Sequence, residues 1–487
     1  MHVSNFRILL GRYNLVKAFV FTTRGLRRFP FVEPVNQLHR ATTMPSILVN
    51  PHSSLMDEAV SLTVNGLAPD GPISIRSSLR DREKLFEAVG HFVADQNGQV
   101  VLNKHHSVGG SYKGLEPMGL FWSLRPAPGQ KKGIHFAIKD VTKPVEFTLT
   151  VYNGHLQLET LHTAQPVTAT QTHRWFMKEG EVERIPVHSG RVRGILFKPR
   201  GPGPFPGVID MFGAAGGVIE YRAALLASRG FAGLALPYFH YEDLPRTNDH
   251  MEFEYFEEAA TWLSVQSFVS PSGIGVLGLS FGGSIGLEMA ARLPQIKAVV
   301  SLSSLPIVPT RLTYQGEKVD SSHSVDLSKC YMGEDGYVMK NMTKPQLRDL
   351  PNEKLIRIED SKAHFLFAIG EDDQNVPSVL AAKRTVQKLQ AHGKHNYELL
   401  SYPGAGHLLE PPYQPIGRGI YYSVPLGIIF DFGGKMKPHA HACQDVWAKT
   451  LVFLRRHLIV GGEETCRILT NQRGSLRRCH SSNGSKL

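Results

Sequence analysis

Three kinds of polar side chain stand at spacings that suit acyl-transfer chemistry: a serine, an acidic group and a histidine. Ser280 lies between Gly278 and Gly282 in the pattern Gly-x-Ser-x-Gly. This pattern is typical of a sharp strand-to-helix turn that exposes a serine hydroxyl, and the glycines are needed because a Cβ there would collide with neighbouring chain. The pattern predicts Ser280 as a nucleophile. A plain glycine-rich turn is the alternative interpretation.

Serine is a weak nucleophile, so it needs a base and a group that orients the base. In the α/β-hydrolase order the acid and then the histidine follow the serine, each after a strand. An acidic loop with Glu371, Asp372 and Asp373 follows the apolar run 364–369, and His407 follows the run 398–402 in a glycine-flanked loop. We select Asp373 as the orienting acid and His407 as the base. The alternatives are solvent-facing or helix-capping carboxylates and a surface or capping histidine.

An oxyanion would need backbone N–H donors beside the nucleophile. We expect one from Phe281, the residue after Ser280, and one from the glycine-rich loop 212–217, where we select Gly213. A plain strand-to-helix connection is the alternative for this loop. A phosphate-binding loop is a weak alternative because no Walker lysine follows.

The segments that must position these groups differ along the chain. From 44 to 183, short alternating runs separated by Gly, Pro and Asn predict a small antiparallel β-sandwich that packs against the rest or helps to close a substrate site. From 184 to 460, strands alternate with helices, which predicts a mostly parallel sheet covered by helices. We expect a long irregular insertion at 306–362 and a final helix at 441–457.

The net charge of +11 comes from the two ends of the chain. Residues 1–43 contribute +6 and residues 467–487 contribute +5, so the rest is formally neutral. A nucleic-acid binder would carry this charge on its folded surface, and we set that function aside. The four cysteines are unpatterned, which favours free thiols in a reducing compartment. No apolar run is long enough for a membrane span, so we expect a soluble protein.

Both ends resemble targeting segments. Residues 1–43 have the basic, nearly acid-free composition of a mitochondrial transit peptide. A basic tail without fixed structure, or sequence upstream of a start at Met44, are the alternatives. The flexible-looking basic tail 461–487 ends in Ser485, Lys486 and Leu487, the peroxisomal address that an import receptor binds. We therefore expect the peroxisome, the mitochondrial matrix, or both through a second start at Met44.

His439 and His441 are the residues that would suggest a metal. No third ligand follows at a recognisable spacing, so we interpret them as ordinary loop histidines. We expect neither a metal nor a cofactor.

The chain resembles the type I acyl-CoA thioesterases and the related bile acid-CoA:amino acid N-acyltransferases from about 51 to 457. The resemblance is carried by 109–122 (GGSYKGLEPMGLFW), 203–213 (GPFPGVIDMFG), 220–227 (EYRAALLA), 241–245 (YEDLP), 278–283 (GLSFGG), 370–373 (GEDD) and 406–413 (GHLLEPPY). It implies a β-sandwich followed by an α/β-hydrolase fold, and a triad of Ser280, Asp373 and His407.

The resemblance also implies the reaction, which is hydrolysis of a medium- or long-chain fatty acyl-CoA to fatty acid and CoA. The amino-acid-conjugating branch typically has cysteine where this chain has Ser280, which favours hydrolysis. Three alternatives remain: an N-acyltransferase that conjugates glycine or taurine at the same site, a catalytically silent relative that binds a partner, and a general carboxylesterase.

Overall fold

The computed structural model describes residues 44–422 and 427–459 of the chain. The segment 1–43 and the tail 461–487, on which the two targeting predictions rest, lie outside the described residues, as do two of the four cysteines. The remaining two, Cys330 and Cys443, are free thiols. No helix of the described part is both long and apolar enough to span a bilayer.

The first part of the chain forms two largely antiparallel sheets. One has the strand order β1-β3-β6; the other has the order β2-β10-β9-β4-β5-β7, with β8 also paired to β5. Only β2 and β10 run parallel. Alternate residues of β3 and β9, such as Leu62, Val64, Leu149 and Val151, lie in one shared apolar core. The strands are β1 (Ser46–Asn50), β2 (Ser53–Leu55), β3 (Ser61–Asn65), β4 (Pro72–Asp81), β5 (Lys84–Val93), β6 (Val100–Val101), β7 (Gly109–Gly110), β8 (Arg125–Pro126), β9 (Val145–Asn153) and β10 (Thr168–Trp175). Two single-turn helices, α1 (Gly119–Trp122) and α2 (Leu158–Leu161), connect them.

The second part is built on one eight-stranded sheet with the order β11-β12-β14-β13-β16-β17-β22-β23. The strands from β14 to β23 run parallel, and β11 and β12 extend the sheet antiparallel. Its strands are β11 (Val182–Ser189), β12 (Val192–Pro199), β13 (Gly207–Met211), β14 (Ala232–Ala235), β16 (Ile274–Leu279), β17 (Ile296–Leu302), β22 (His364–Gly370) and β23 (Tyr397–Tyr402). Together with the helices below, this is the α/β-hydrolase fold that the sequence predicts.

Helices cover both faces of this sheet. On β16, Leu277 packs in the apolar cluster that holds α3 and α8, whereas the adjacent Val276 packs with α4, α5 and α7. Successive side chains of a strand point to opposite faces, so a strand buried on both sides is apolar throughout, as β16 is. The helices are α3 (Tyr221–Ser228), α4 (Phe253–Ser264), α5 (Phe281–Arg292), α7 (Ser378–Ala391) and α8 (Met436–Leu458).

Two expectations require correction. The stretch 306–362 is not irregular throughout, because short strands from it pair with β15 and with strands after 418 in two small sheets. These strands are too short to show the hydrophobic periodicity that marks a longer element in a sequence. The elements of these sheets and of the stretch are β15 (His250–Glu252), β18 (Arg311–Tyr314), β19 (Glu317–Lys318), β20 (Tyr331–Met332), β21 (Tyr337–Val338), α6 (Lys344–Asp349), β24 (Gly419–Tyr422) and β25 (Ile428–Asp431).

The last helix begins at Met436 and not at 441. Pro438 reads as a helix breaker in the sequence. It lies in the first turn of α8, where a backbone N–H has no acceptor within the helix and proline is tolerated. Consequently His439 and His441 are helical residues, and the prediction of loop histidines was wrong.

The two parts meet in a seam of polar contacts around Asp57, whose side chain is almost fully buried. Its carboxylate accepts hydrogen bonds from Arg229 Nε (3.0 Å), just after α3, and from Trp447 Nε1 (2.8 Å) on α8. The antiparallel part is therefore tied to two helices that cover the eight-stranded sheet.

Candidate active site

Ser280 occupies a strained turn between β16 and α5. Its φ of 55° and ψ of −122° are unusual for any residue with a side chain. A Cβ at Gly278 would overlap the backbone of Gly282 and Gly283, and one at Gly282 would overlap the carbonyl oxygens of Met211 and Phe212. The two glycines flanking the serine are therefore required by close backbone approach, as the sequence pattern predicts.

Asp373 and His407 form a buried pair after β22 and β23. His407 Nδ1 lies 2.8 Å from Asp373 Oδ2, and both side chains are about 2% exposed. Asp373 Oδ1 accepts the backbone N–H groups of Asn375 (2.8 Å) and Val376 (2.9 Å), and Ser378 Oγ donates to Oδ2. These donors hold the carboxylate in one orientation, which in turn orients the imidazole with Nε2 away from Asp373.

The other two acids of the loop face elsewhere. Glu371 accepts a hydrogen bond from Ser401 Oγ (2.7 Å) at the surface. Asp372 Oδ2 accepts the backbone N–H of Gly434 (3.1 Å), and its Oδ1 accepts from Gln374 Nε2 (3.0 Å). Of the three candidates, the structure brings only Asp373 to His407.

Ser280 and His407 line one open cleft of about 690 Å³. The structure gives no hydrogen bond between Ser280 Oγ and His407 in the described part of the chain, and such bonds are often long before substrate binds. The rest of the lining is mostly apolar and comes from the loop after β13 and from the small sheets; it includes Phe212, Ala214, Ala215, Met339, Leu408, Phe430 and Phe432.

Gly213 and Phe281 lie on either side of the serine. A Cβ on Gly213 would stand 3.1 Å from Ser280 Cβ and 3.5 Å from its Oγ, so the loop passes directly beside Ser280. Phe281 is the first residue of α5, at the helix end whose N–H groups carry partial positive charge. Neither backbone N–H has an acceptor among the described residues. Both can therefore donate to an oxygen that gains negative charge beside Ser280.

Tyr238 holds this pair of donors, and the sequence analysis did not identify it. Its hydroxyl donates to the carbonyl oxygens of Phe212 (2.6 Å) and Gly213 (2.9 Å), and its ring stacks on that of Phe281 with centroids 5.8 Å apart. Burial raises the pKa of Tyr238, which keeps the hydroxyl protonated as a donor. No sequence pattern marks it, because its partners are brought together only by the sheet order.

His439 on α8 forms hydrogen bonds with the residues on both sides of His407. Its Nδ1 accepts the backbone N–H of Gly406 (2.8 Å), and its Nε2 donates to the carbonyl of Leu408 (2.9 Å). Burial lowers the pKa of His439 to about 4, so the ring is neutral, as this pattern of one acceptor and one donor requires. His439 is thus a positioning residue for the loop that carries His407.

His441 lies on the outer side of α8 and pairs with Glu116 at 2.9 Å, from the antiparallel part. Glu116 also pairs with Lys437 at 2.7 Å. Among residues 44–422 and 427–459, no three or more His, Cys, Asp or Glu side chains are close enough to share a metal ion. These histidines serve contacts within the protein.

The arrangement suits attack of a hydroxyl on a carbonyl carbon. It combines a hydroxyl on a tight turn, an imidazole oriented by a buried carboxylate, and two free N–H donors beside the hydroxyl. These are the parts that acyl transfer to serine needs.

Comparison with known proteins gives two family matches. Residues 57–189 match the acyl-CoA thioester hydrolase/BAAT N-terminal region, and residues 251–460 match the BAAT/acyl-CoA thioester hydrolase C-terminal region. Human acyl-coenzyme A thioesterase 1 is 39% identical over 84% of this chain and 95% of its own length. Human acyl-coenzyme A thioesterase 2, mitochondrial, is 39% identical over 84% of this chain and 83% of its own. The mouse bile acid-CoA:amino acid N-acyltransferase is 38% identical over 85% of this chain and 98% of its own.

Proposed function

The chain belongs to the acyl-CoA thioester hydrolase/BAAT family, and from this membership and the site geometry we propose that it hydrolyses medium- and long-chain fatty acyl-CoA. The products are a free fatty acid and CoA. The observation that carries the proposal is the cleft that Ser280 shares with the His407–Asp373 pair, next to two unpaired backbone donors.

In the first half-reaction, His407 Nε2 takes the proton of Ser280 Oγ as the oxygen attacks the thioester carbonyl carbon. The carbonyl oxygen becomes an oxyanion, which the N–H groups of Phe281 and Gly213 stabilise. The carbon–sulfur bond then breaks, and the departing CoA sulfur takes the proton from His407. An ester between the acyl group and Ser280 remains.

In the second half-reaction, His407 takes a proton from water, and the resulting hydroxide attacks the ester carbon. The bond to Ser280 Oγ breaks and the serine regains its proton from His407, which releases the fatty acid. Asp373 holds the ring of His407 through Nδ1 and stabilises the imidazolium formed in both halves.

A CoA-release assay on acetyl-, octanoyl- and palmitoyl-CoA tests this function. We expect turnover by the wild type and a loss on the order of 10⁴-fold or more for Ser280→Ala. Ser264→Ala, a half-buried serine on α4 outside the cleft, is the matched control and should keep the wild-type rate.

The same assay with glycine and taurine present distinguishes the acyltransferase reaction. The serine at position 280 supports water as the acceptor, so we expect free fatty acid even at high amino-acid concentration. An amide of glycine or taurine as the main product would contradict hydrolysis, and equal rates for wild type and Ser280→Ala would remove Ser280 from the mechanism.

We also propose two cellular addresses for this reaction: the peroxisome through Ser485, Lys486 and Leu487, and the mitochondrial matrix through 1–43 when that segment is translated. Imaging of three tagged forms tests this: the full chain, a form that starts at Met44, and a form without the last three residues. The form that starts at Met44 should be peroxisomal, and deletion of the last three residues should abolish that location.

A further inference from the structure

A second cavity, which is partly open to solvent and measures about 910 Å³ with that open space included, adjoins the cleft of Ser280. The two share the lining residues Phe212, Ala215 and Leu408, so they are adjacent. The walls of the second cavity come from both parts of the chain. Trp122, Phe136 and Ile138 belong to the antiparallel part, and Ile416, Ala440 and Cys443 belong to the catalytic part. We call this the seam cavity.

The boundary between the cleft and the seam cavity lies beside the reacting atoms. Phe212 directly precedes Gly213, one of the two oxyanion donors, and Leu408 directly follows His407. Phe212 and Leu408 line both spaces, so a substituent on an acyl carbonyl bound at Ser280 would enter the seam cavity beside these two side chains.

The titratable groups on the walls are all shifted toward their neutral forms, with burial as the largest cause. The pKa of Glu410 and of Tyr221 is raised, and that of Cys443 is raised to about 12. The pKa of His135 is lowered, and that of His439 is lowered to about 4. Such walls suit a neutral apolar ligand and disfavour the phosphates of CoA.

Several polar side chains on these walls already form hydrogen bonds within the protein. Tyr221 donates to Glu410 Oε1 at 2.6 Å, and Gln414 donates to the carbonyl of Pro411 at 3.0 Å. Both ring nitrogens of His439 are used by the loop of His407. What remains for a ligand is mainly aromatic and aliphatic surface.

We propose that the seam cavity binds the acyl chain of the thioester, so that its walls, to which the antiparallel part contributes Trp122 and residues 135–138, decide which chain lengths are accepted. This inference rests on the proposed function, because it assigns the acyl chain of that reaction to a site. It gives the antiparallel part a direct role in substrate selection. The charged phosphates of CoA stay outside the seam cavity.

Two substitutions that fill the seam cavity from opposite walls test the proposal. Ala440→Leu adds bulk from α8, and Ala137→Leu adds bulk from the antiparallel part. We expect kcat/KM for palmitoyl-CoA to fall at least about tenfold, the usual effect of displacing a methylene group from an apolar pocket. The rate on acetyl-CoA, whose acyl group is too short to reach the seam cavity, should fall far less. Ile416→Ala, which enlarges the cavity, should move the preference toward longer chains, and Ala391→Leu, on the exposed end of α7, is the control.

A second readout does not depend on turnover. Calorimetric titration with palmitate, a product of the proposed reaction, should show binding to the wild type and to Ala391→Leu and at least about tenfold weaker binding to Ala440→Leu and Ala137→Leu. Thermal unfolding identifies any variant that fails to fold. Ala440→Leu and Ala137→Leu act from different walls, so the test can be read from either one if the other does not fold.

The outcomes separate this proposal from the proposed function. Turnover with an unchanged chain-length profile in the folded variants overturns the seam cavity as acyl site and leaves hydrolysis standing. No CoA release by the wild type, together with palmitate binding that the fillings abolish, overturns the hydrolase and leaves the cavity as a fatty-acyl site. Palmitate binding that the fillings do not change also overturns the cavity assignment.

Discussion

His439 offers a sharp test of how the loop that carries His407 is positioned. The substitution His439→Phe keeps an aromatic ring on α8 and removes both nitrogens. The Gly406 N–H and the Leu408 carbonyl, which flank His407, then lose their partner. An unpaired buried polar group costs about 1–3 kcal/mol. Cys443 Sγ also reaches the Leu408 carbonyl (3.7 Å) and can retain part of that pairing, so we expect a loss of about 2–4 kcal/mol in the free energy of unfolding.

His439→Phe should also lower activity, because His407 would no longer be held in place relative to Ser280. A shift of His407 by about 1 Å relative to Ser280 reduces turnover on the order of 10²-fold. We expect kcat to fall by roughly 10- to 100-fold with little change in KM, since His439 Nδ1 and Nε2 do not contact the reacting atoms. His439→Asn places an oxygen near the position of Nδ1, and His439→Gln places an amide near Nε2. Each keeps one of the two contacts and should recover part of the rate.

The pH dependence of stability gives an independent readout. The pKa of His439 falls from its ordinary 6.5 to about 4 in the folded chain. Between pH 6.5 and about 4, this histidine binds a proton in the unfolded chain but not in the folded chain. The free energy of unfolding therefore falls as the pH falls through this range, by about 3 kcal/mol in total. Above pH 6.5 this histidine has no effect.

His439→Gln lacks this titration, so the stability difference between wild type and variant should narrow by about 3 kcal/mol over that pH range. Urea unfolding at several pH values and steady-state kinetics measure both effects. Wild-type kcat in a folded His439→Phe variant, or parallel pH profiles for wild type and His439→Gln, would refute the reasoning.

Three further perturbations follow from the same structure. Tyr238→Phe removes the hydroxyl that the carbonyls of Phe212 and Gly213 share, so steady-state kinetics should show kcat reduced about 10-fold or more at unchanged KM. An unchanged kcat would mean that the loop of Gly213 holds its place without the Tyr238 hydroxyl. Gly282→Ala places a Cβ against two backbone oxygens, so thermal unfolding should show a loss of about 3 kcal/mol, and wild-type stability would contradict the close approach. Asp57→Asn weakens the contact with Arg229, so urea unfolding should show a loss of about 1–3 kcal/mol in the free energy of unfolding. CoA release from acetyl-CoA should be unchanged. A loss of activity without a loss of stability would argue against a purely structural role for the contacts of Asp57.

Local sequence patterns were sufficient to predict much of the fold. The apolar runs 364–369 and 398–402 coincide with β22 and β23 to within one residue, because strands buried in a parallel sheet are continuous apolar runs between turn residues. The turn at Ser280 was predicted because it needs glycine at two fixed positions. Local pattern failed at 306–362, where pairing partners lie far along the chain, and at Pro438, where the sequence alone could not tell a first helical turn from a loop.

The sequence by itself determined the fold class, the serine turn and the loops that carry the acid and the base, because each depends on residues close together in the chain. The tertiary structure decided which of three acids orients His407, because that choice depends on where the loop after β22 meets the loop after β23. It also decided the roles of Tyr238 and His439 and created the seam cavity. The cavity brings together Trp122 and Cys443, which are 321 residues apart in the chain, and no local spacing encodes such a contact.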